Sequence, residues 1–268
     1  MNTASSLIAI ALYLLATLLQ VRRLQSDSLS GSQHLSRGSM ASGLFAVVSH
    51  GVAAVTAIAT PQGADLGLAQ VLSLLSGLIC LIILLTSFRR PLHNLLLAMF
   101  PLAALTLLIE VILPGNPDKG EQYSIGMYSH ILLSILAYSN ITVAAVQAIV
   151  LAGQDRMLRQ HQLRGLPSLL PPLQTMEAML FELITAGVLL LTLAIVTGAL
   201  YVENLLAQHL LHKTVFSVIA WILLSTLLCG RVALGWRGRT AIRWTLWAFA
   251  SLLLGYIGTK IALLLISP

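Results

Sequence analysis

The chain has 268 residues, of which 57% are hydrophobic and only 9% charged, and its mean hydropathy is +0.91. Soluble domains carry about 25% charged residues, so the composition excludes a soluble enzyme and describes an integral membrane protein. The net charge of +6 does not imply nucleic acid as a partner, because most of it lies in short connectors between apolar runs, where it sets orientation.

About twenty apolar residues are needed to span a bilayer, and the sequence predicts eight such segments in an all-α membrane bundle. The first, 5–21, has no basic residue before it and no small-x-small cleavage site, and Arg22-Arg23 follows directly. It therefore reads as an uncleaved span rather than a secretory signal. The second, 40–60, carries His50 at its midpoint and ends at Pro61-Gln62-Gly63; the third, 66–87, is closed by Arg89-Arg90. Pro91 suits the first turn of the fourth, 91–113, which stops at the turn signal Pro114-Gly115-Asn116-Pro117.

The fifth segment, 123–151, places His130 about two turns in from its start. A polar connector, 153–175, leads to the sixth, 176–201, where Glu177 suits the positive end of a helix dipole. The link 202–211 precedes the seventh, 212–234, and the eighth occupies 242–266. No soluble domain is evident, and the chain reads as a single polytopic membrane domain over residues 1–268.

Charge then predicts orientation. The first, third, fifth and seventh connectors carry Arg22, Arg23 and Arg37; Arg89 and Arg90; Arg156, Arg159 and Arg164; and Arg231, Arg237, Arg239 and Arg243. The alternate connectors carry Lys119 alone, with Lys213 just inside the seventh helix. By the positive-inside rule both termini lie on the outer, periplasmic side.

Ionisable groups at depth in a membrane are costly, and they mark a bundle interior, a cavity or a ligand. At about 1.5 Å per residue His130 lies roughly 8 Å from the outer end of its helix. His212 begins the seventh helix on the same side, and His50 lies lower, near the midplane. Neutral imidazole ligates haem iron, and two facing imidazoles can hold it from both sides. A single buried histidine is as readily explained by a hydrogen bond to a neighbouring helix. His34, His93 and His161 fall in or beside connectors and read as solvated, and His209 reads as a surface loop residue. Lys213 and Lys260 either snorkel to the interface or neutralise haem propionates. Cys80 and Cys229, far apart within apolar segments, read as structural thiols. The sequence shows no Walker loop, dinucleotide glycine motif, HExxH or CxxC.

His130-Ile-Leu-Leu-Ser-Ile-Leu-Ala-Tyr138, then Gly230-Arg231, Gly235-Trp236-Arg237-Gly238-Arg239 and Gly255-Tyr256-Ile257-Gly258-Thr259-Lys260 stand in an ordered set. With Ala220-Trp221 in the seventh segment, this set resembles the cytochrome c assembly membrane family, the haem-handling group that includes the synthase subunit CcsA. The eight-helix layout is most similar to its YpjD/HemX-like branch, with a family-like core over about 66–268. The resemblance implies that His130 matches the family's first outer haem-ligand histidine. Three departures stand beside it. The stretch 202–214 contains neither the tryptophan nor the aspartate of the family's WWD segment, the outer histidine that follows the last helix in the synthases has no counterpart before Pro268, and the histidine that the resemblance leads one to expect late in the seventh helix is replaced around Leu228-Cys229-Gly230.

The reading that results is an inner-membrane, haem-handling protein that is not an enzyme by itself. Haem is the expected cofactor, held by His130 and His212 as iron ligands with His50 in reserve, and by Lys213 and Lys260 at its acidic edge. Its expected partners are membrane lipid and other membrane proteins of cytochrome or haem assembly. Two other readings remain open: an accessory or regulatory membrane protein without haem transfer, and a small-solute transporter with His50, Glu110 and Glu182 as coupling groups.

Overall fold

The computed structural model describes residues 3–26, 37–88, 93–113, 121–160, 170–202 and 208–266, with the side chains of the last helix described as far as Gly255. Among them are eight helices: α1 (Thr3–Ser26), α2 (Arg37–Ile58), α3 (Leu68–Ser87), α4 (His93–Ile112), α5 (Ile125–Arg159), α6 (Leu173–Tyr201), α7 (Gln208–Leu234) and α8 (Arg239–Ile266). Seven of these, α1 to α7, are long and apolar enough to cross a membrane. The eighth, α8, covers the eighth predicted segment.

The helices divide into two compact units, Met1–Tyr123 with Ser168–Leu170, and Ser124–Pro167 with Pro171–Pro268. In the first unit α1 packs on α2 and α4, and α3 packs on the same two helices. In the second, α5 packs on α6 and α8, and α7 on the same two. Each unit is thus a closed ring of four helices taken in chain order. The outward sides remain apolar: Phe45 is 65% exposed, Leu189 62% and Val232 89%. Such surface would be a liability in water and is the ordinary face of a helix in lipid.

Pro61-Gln62 forms the tip of a two-stranded hairpin, β1 (Ala59–Thr60) and β2 (Gly63–Ala64). Gly63 takes φ +136°, and a Cβ there would run into the backbone of Glu121. That absence of a side chain lets Ala64 and Glu121 exchange backbone hydrogen bonds of 2.9 and 3.2 Å. The hairpin end of the first unit is therefore closed by the chain that follows α4.

Most helix ends differ from the sequence expectation by a few residues, and three of the differences have a visible local setting. Helix α5 continues through Gly153 to Arg159, so the expected connector is helical at its start. The segment Gln154-Asp155-Arg156-Met157-Leu158-Arg159 holds good helix formers, Asp155 pairs with Arg159 at 3.0 Å, and the basic last turn suits the helix dipole. Helix α6 begins at Leu173 after Pro172, so Glu177 lies beyond its first turn. Its carboxylate instead accepts a hydrogen bond from the Gly238 backbone at 3.1 Å, holding the turn between α7 and α8. Helix α7 begins at Gln208, so His209 stands in a first helical turn rather than in a loop. Pro91 and the Pro114–Pro117 turn lie outside the described residues.

Candidate functional site

Within the second unit, polar side chains of α5 reach the backbone of α6, and of the chain just before it, at successive levels. Asn140 Nδ2 donates to the Leu183 carbonyl at 2.7 Å, Gln147 Nε2 to the Met176 carbonyl at 3.2 Å and Gln154 Nε2 to the Pro171 carbonyl at 2.8 Å. These groups fix the register of the two helices, because a buried polar group in an apolar setting must find a partner.

The highest rung is His130. Its Nδ1 lies 2.9 Å from the carbonyl oxygen of Ala194. A carbonyl can only accept, so Nδ1 carries a proton, and in the neutral ring the lone pair is then on Nε2. Gly198, one turn further along α6, makes room for the ring: a Cβ there would lie 2.9 Å from His130 Cε1. Ser124 sets the entrance of α5 by accepting from the Met127 backbone at 3.2 Å.

His130 lines a cavity of about 450 Å³ to which α5, α6, α7 and α8 all contribute. Its wall is mostly apolar, with Ile131, Leu191 and Val218 among the lining residues, and its polar groups include Ser134, Tyr138, Ser217 and Lys213. That volume falls in the range of about 300–1,000 Å³ found for small-molecule and cofactor sites. Gly255 of α8 also lines it, and a Cβ there would stand 3.0 Å from Phe216 Cβ. Trp221 Nε1 of α7 donates to Thr192 Oγ1 at 2.8 Å and ties α7 to α6.

The five residues singled out from sequence are distributed as follows. His130 and Lys213 share the cavity. His212 is exposed in the second turn of α7, next in sequence to Lys213, and is not among the lining residues. The Lys260 side chain lies outside the described residues. His50 belongs to the first unit, where both ring nitrogens are engaged: Nδ1 with the Tyr13 hydroxyl at 3.1 Å and Nε2 with Ser73 Oγ at 3.0 Å. No group of three or more metal-ligating side chains occurs among the described residues. Sequence reasoning missed Ala194 and Gly198, whose contribution is a carbonyl and an absent side chain.

A second cavity of the same unit, about 620 Å³, lies at the opposite end of α6 and is lined by Gln174, Glu177, Arg231, Trp236 and Arg237. It presents guanidinium and carboxylate groups but no imidazole. Arg231, in the last turn of α7, is stacked on the Phe181 ring at 3.8 Å and so has a packing role.

Comparison with known proteins gives the family. The model of the cytochrome C assembly protein family matches residues 38–266. The chain belongs to that family. It is 32% identical over 233 residues to the inner membrane protein YpjD of Escherichia coli K12, covering 86% of this chain and 88% of the relative. It is also 32% identical over 149 residues, 55% of each chain, to an Azospirillum brasilense protein described as an uncharacterized 28.8 kDa protein in a nifR3-like 5' region. No solved structure matches. The family match begins well before residue 66, so it reaches into α2 and includes His50 as well as His130. With seven helices long and apolar enough to cross a membrane and a relative named for the inner membrane, this is a multi-pass inner-membrane protein.

Proposed function

We propose that the cavity of the α5–α8 unit binds haem, with His130 as an axial ligand through Nε2. The observation that carries this reading is the Nδ1–Ala194 bond at 2.9 Å. Histidines that ligate metals commonly donate the other ring N–H to a carbonyl or carboxylate, which fixes the tautomer and the ring orientation. The residues present fit the group. An imidazole stands at the wall of a largely apolar cavity of cofactor size, and Lys213 is also among the lining residues, so that its ammonium would meet a propionate.

Haem, when bound, would supply an iron centre whose potential and reactivity follow from its axial ligands and surroundings. The chain's own contribution is to orient one imidazole, to exclude water with an apolar wall and to offset carboxylate charge. We propose His212 as the second ligand on its place at the start of α7; it stands exposed beside Lys213 and outside the cavity lining, so it would reach the group only through an inward turn of that helix end, and Lys260 would join Lys213 at the acidic edge. Both termini are placed on the outer side by the charge asymmetry, and 1–268 acts as one membrane domain. The protein is read as a presenter of haem within membrane-bound cytochrome or haem assembly, in contact with lipid and other membrane proteins of that process, and not as an enzyme by itself.

The test is an absorption spectrum of detergent-purified protein from cells supplied with haem. A bis-imidazole Soret band is expected; His130→Ala and His212→Ala should each abolish or strongly shift it at normal membrane levels. Added imidazole should partly restore either variant. Loss of haem in His50→Ala but not in His212→Ala would reassign the second ligand. A colourless wild type, or three variants with the wild-type spectrum, would overturn the haem reading.

A further inference from the structure

The glycine- and arginine-rich motif from Gly230 to Arg239 takes no part in the haem cavity, yet its backbone is closely determined. Helix α7 ends at Leu234 and α8 begins at Arg239, so Gly235 to Gly238 alone make the reversal. Gly235 and Gly238 take φ of +65° and +57°, a conformation that residues with a Cβ rarely adopt. The Trp236 backbone N–H donates to the Gly230 carbonyl at 3.1 Å. Its indole folds back over α7, where a Cβ on Gly230 would run into it, and meets Trp244 of α8 with ring centroids 5.2 Å apart. From α6, the Glu177 carboxylate accepts from the Gly238 backbone at 3.1 Å. The turn is thus held from three helices at once.

This turn presents positive charge. Both Arg231 and Arg237 line the cavity of about 620 Å³ at this end of the unit. Asp155 is committed to Arg159 and Arg239, at 3.0 and 3.2 Å. Neither Arg231 nor Arg237 has an ion-pair partner among the described residues. The guanidinium carbon of Arg231 lies 3.8 Å from the Phe181 ring centroid, a contact that steadies the group and leaves N–H donors free to bond elsewhere. Glu177 is the one acid among the lining residues, and its Oε2 is engaged by Gly238. Two guanidinium groups beside one engaged carboxylate favour an anion, and the guanidinium fork matches phosphate oxygens in particular.

The surroundings distinguish a lipid phosphate from a free one. Val232 and Leu234 in the last turn of α7 and Trp247 of α8 are all exposed. Apolar surface beside arginines and tryptophans at helix ends belongs to the headgroup level of a bilayer. Basic pockets between membrane helices at that level take anionic headgroups. A soluble phosphate would make no use of the apolar flank.

We propose that this cavity binds the headgroup of an anionic glycerophospholipid, with the phosphodiester held by Arg231 and Arg237 and the acyl chains lying along Val232 and Leu234. A lipid so held joins α6 to the turn between α7 and α8. Glu177 shapes that turn and tempers the charge of the site. The rival ligand is a zwitterionic lipid whose ammonium group would meet Glu177, and the sign of the Glu177 effect separates the two.

The site lies at the opposite end of α6 from His130 and does not depend on haem binding. Its test is native mass spectrometry of the full chain, titrated in detergent with phosphatidylglycerol or phosphatidylethanolamine of identical acyl chains. Phosphatidylglycerol should bind more tightly. Arg237 is exposed, so Arg237→Gln should leave the fold intact and weaken that binding about fivefold, the contribution of one cation near an anionic headgroup. Glu177→Gln keeps an acceptor for Gly238 but removes the opposing charge, and should tighten phosphatidylglycerol. Arg243→Gln, at the same end but outside the cavity lining, should change nothing. Equal binding of the two lipids, or equal losses in Arg237→Gln and Arg243→Gln, would overturn the proposal. Weaker lipid binding in Glu177→Gln would give the site to a zwitterionic headgroup instead, and displacement of phosphatidylglycerol by millimolar inorganic phosphate would give it to a soluble anion. Equal elution volume and helicity of the variants establish that the comparison is between folded proteins.

Discussion

His130 Nδ1 on α5 donates to the carbonyl oxygen of Ala194 on α6 at 2.9 Å, across 64 positions of sequence. This bond holds the imidazole in one tautomer and against one helix. It succeeds because Gly198 presents no side chain to the ring. Gly198→Ala should therefore move the imidazole by a few tenths of an ångström and cost about 1–3 kcal/mol as overpacking. A lowered melting temperature and a perturbed Soret band are the expected readouts. An unchanged melting curve would show that the ring has room the geometry denies it.

The polar contacts between α5 and α6 give a second prediction. Asn140 is buried and donates to the Leu183 carbonyl at 2.7 Å. Side-chain hydrogen bonds between membrane helices average about 0.6 kcal/mol and reach about 1.7. Asn140→Ala should fall in that range in a reversible detergent-unfolding titration, and Gln147→Ala should behave alike. An effect well above it would mean that the side chain also fills volume the α5–α6 interface needs.

The two cysteines should differ in reactivity. Cys80 is buried and Cys229 exposed, although both lie in apolar segments. A membrane-permeant maleimide is expected to label Cys229 in the folded protein and Cys80 only after denaturation. Alanine at either position should leave membrane levels close to normal, since a buried thiol packs as a small hydrophobe. Labelling of native Cys80 at a rate comparable to Cys229 would contradict the packing of α3.

Orientation is open to a direct check. Reporter fusions at Met1 and Pro268 should both report the outer compartment, and an insertion within 161–169 should report the cytoplasm. A cytoplasmic report at either terminus would reverse the charge argument or change the number of crossings.

The number and order of the helices were legible in the sequence because apolar length is set by the bilayer itself. Eight expected segments correspond to eight helices, with ends displaced by several residues. The displacements have local causes: Asp155 and Arg159 extend α5, and Leu173 after Pro172 starts α6 early. That His50 and His130 stand within long apolar helices was legible in the same way. What each histidine touches was not. His50 finds its partners on α1 and α3, and His130 finds its partner on α6, and hydropathy carries no record of which faces meet. The exposed position of His212, the shared cavity of His130 and Lys213, and the carboxyl of Glu110, buried with no hydrogen-bond partner among the described residues, were likewise decided by packing. The sequence by itself determined which groups enter the membrane, since burying a polar residue leaves a conspicuous break in an apolar run. Only the tertiary structure decided which of them are satisfied and which are left to bind something else, because a partner is a matter of distance and angle between helices.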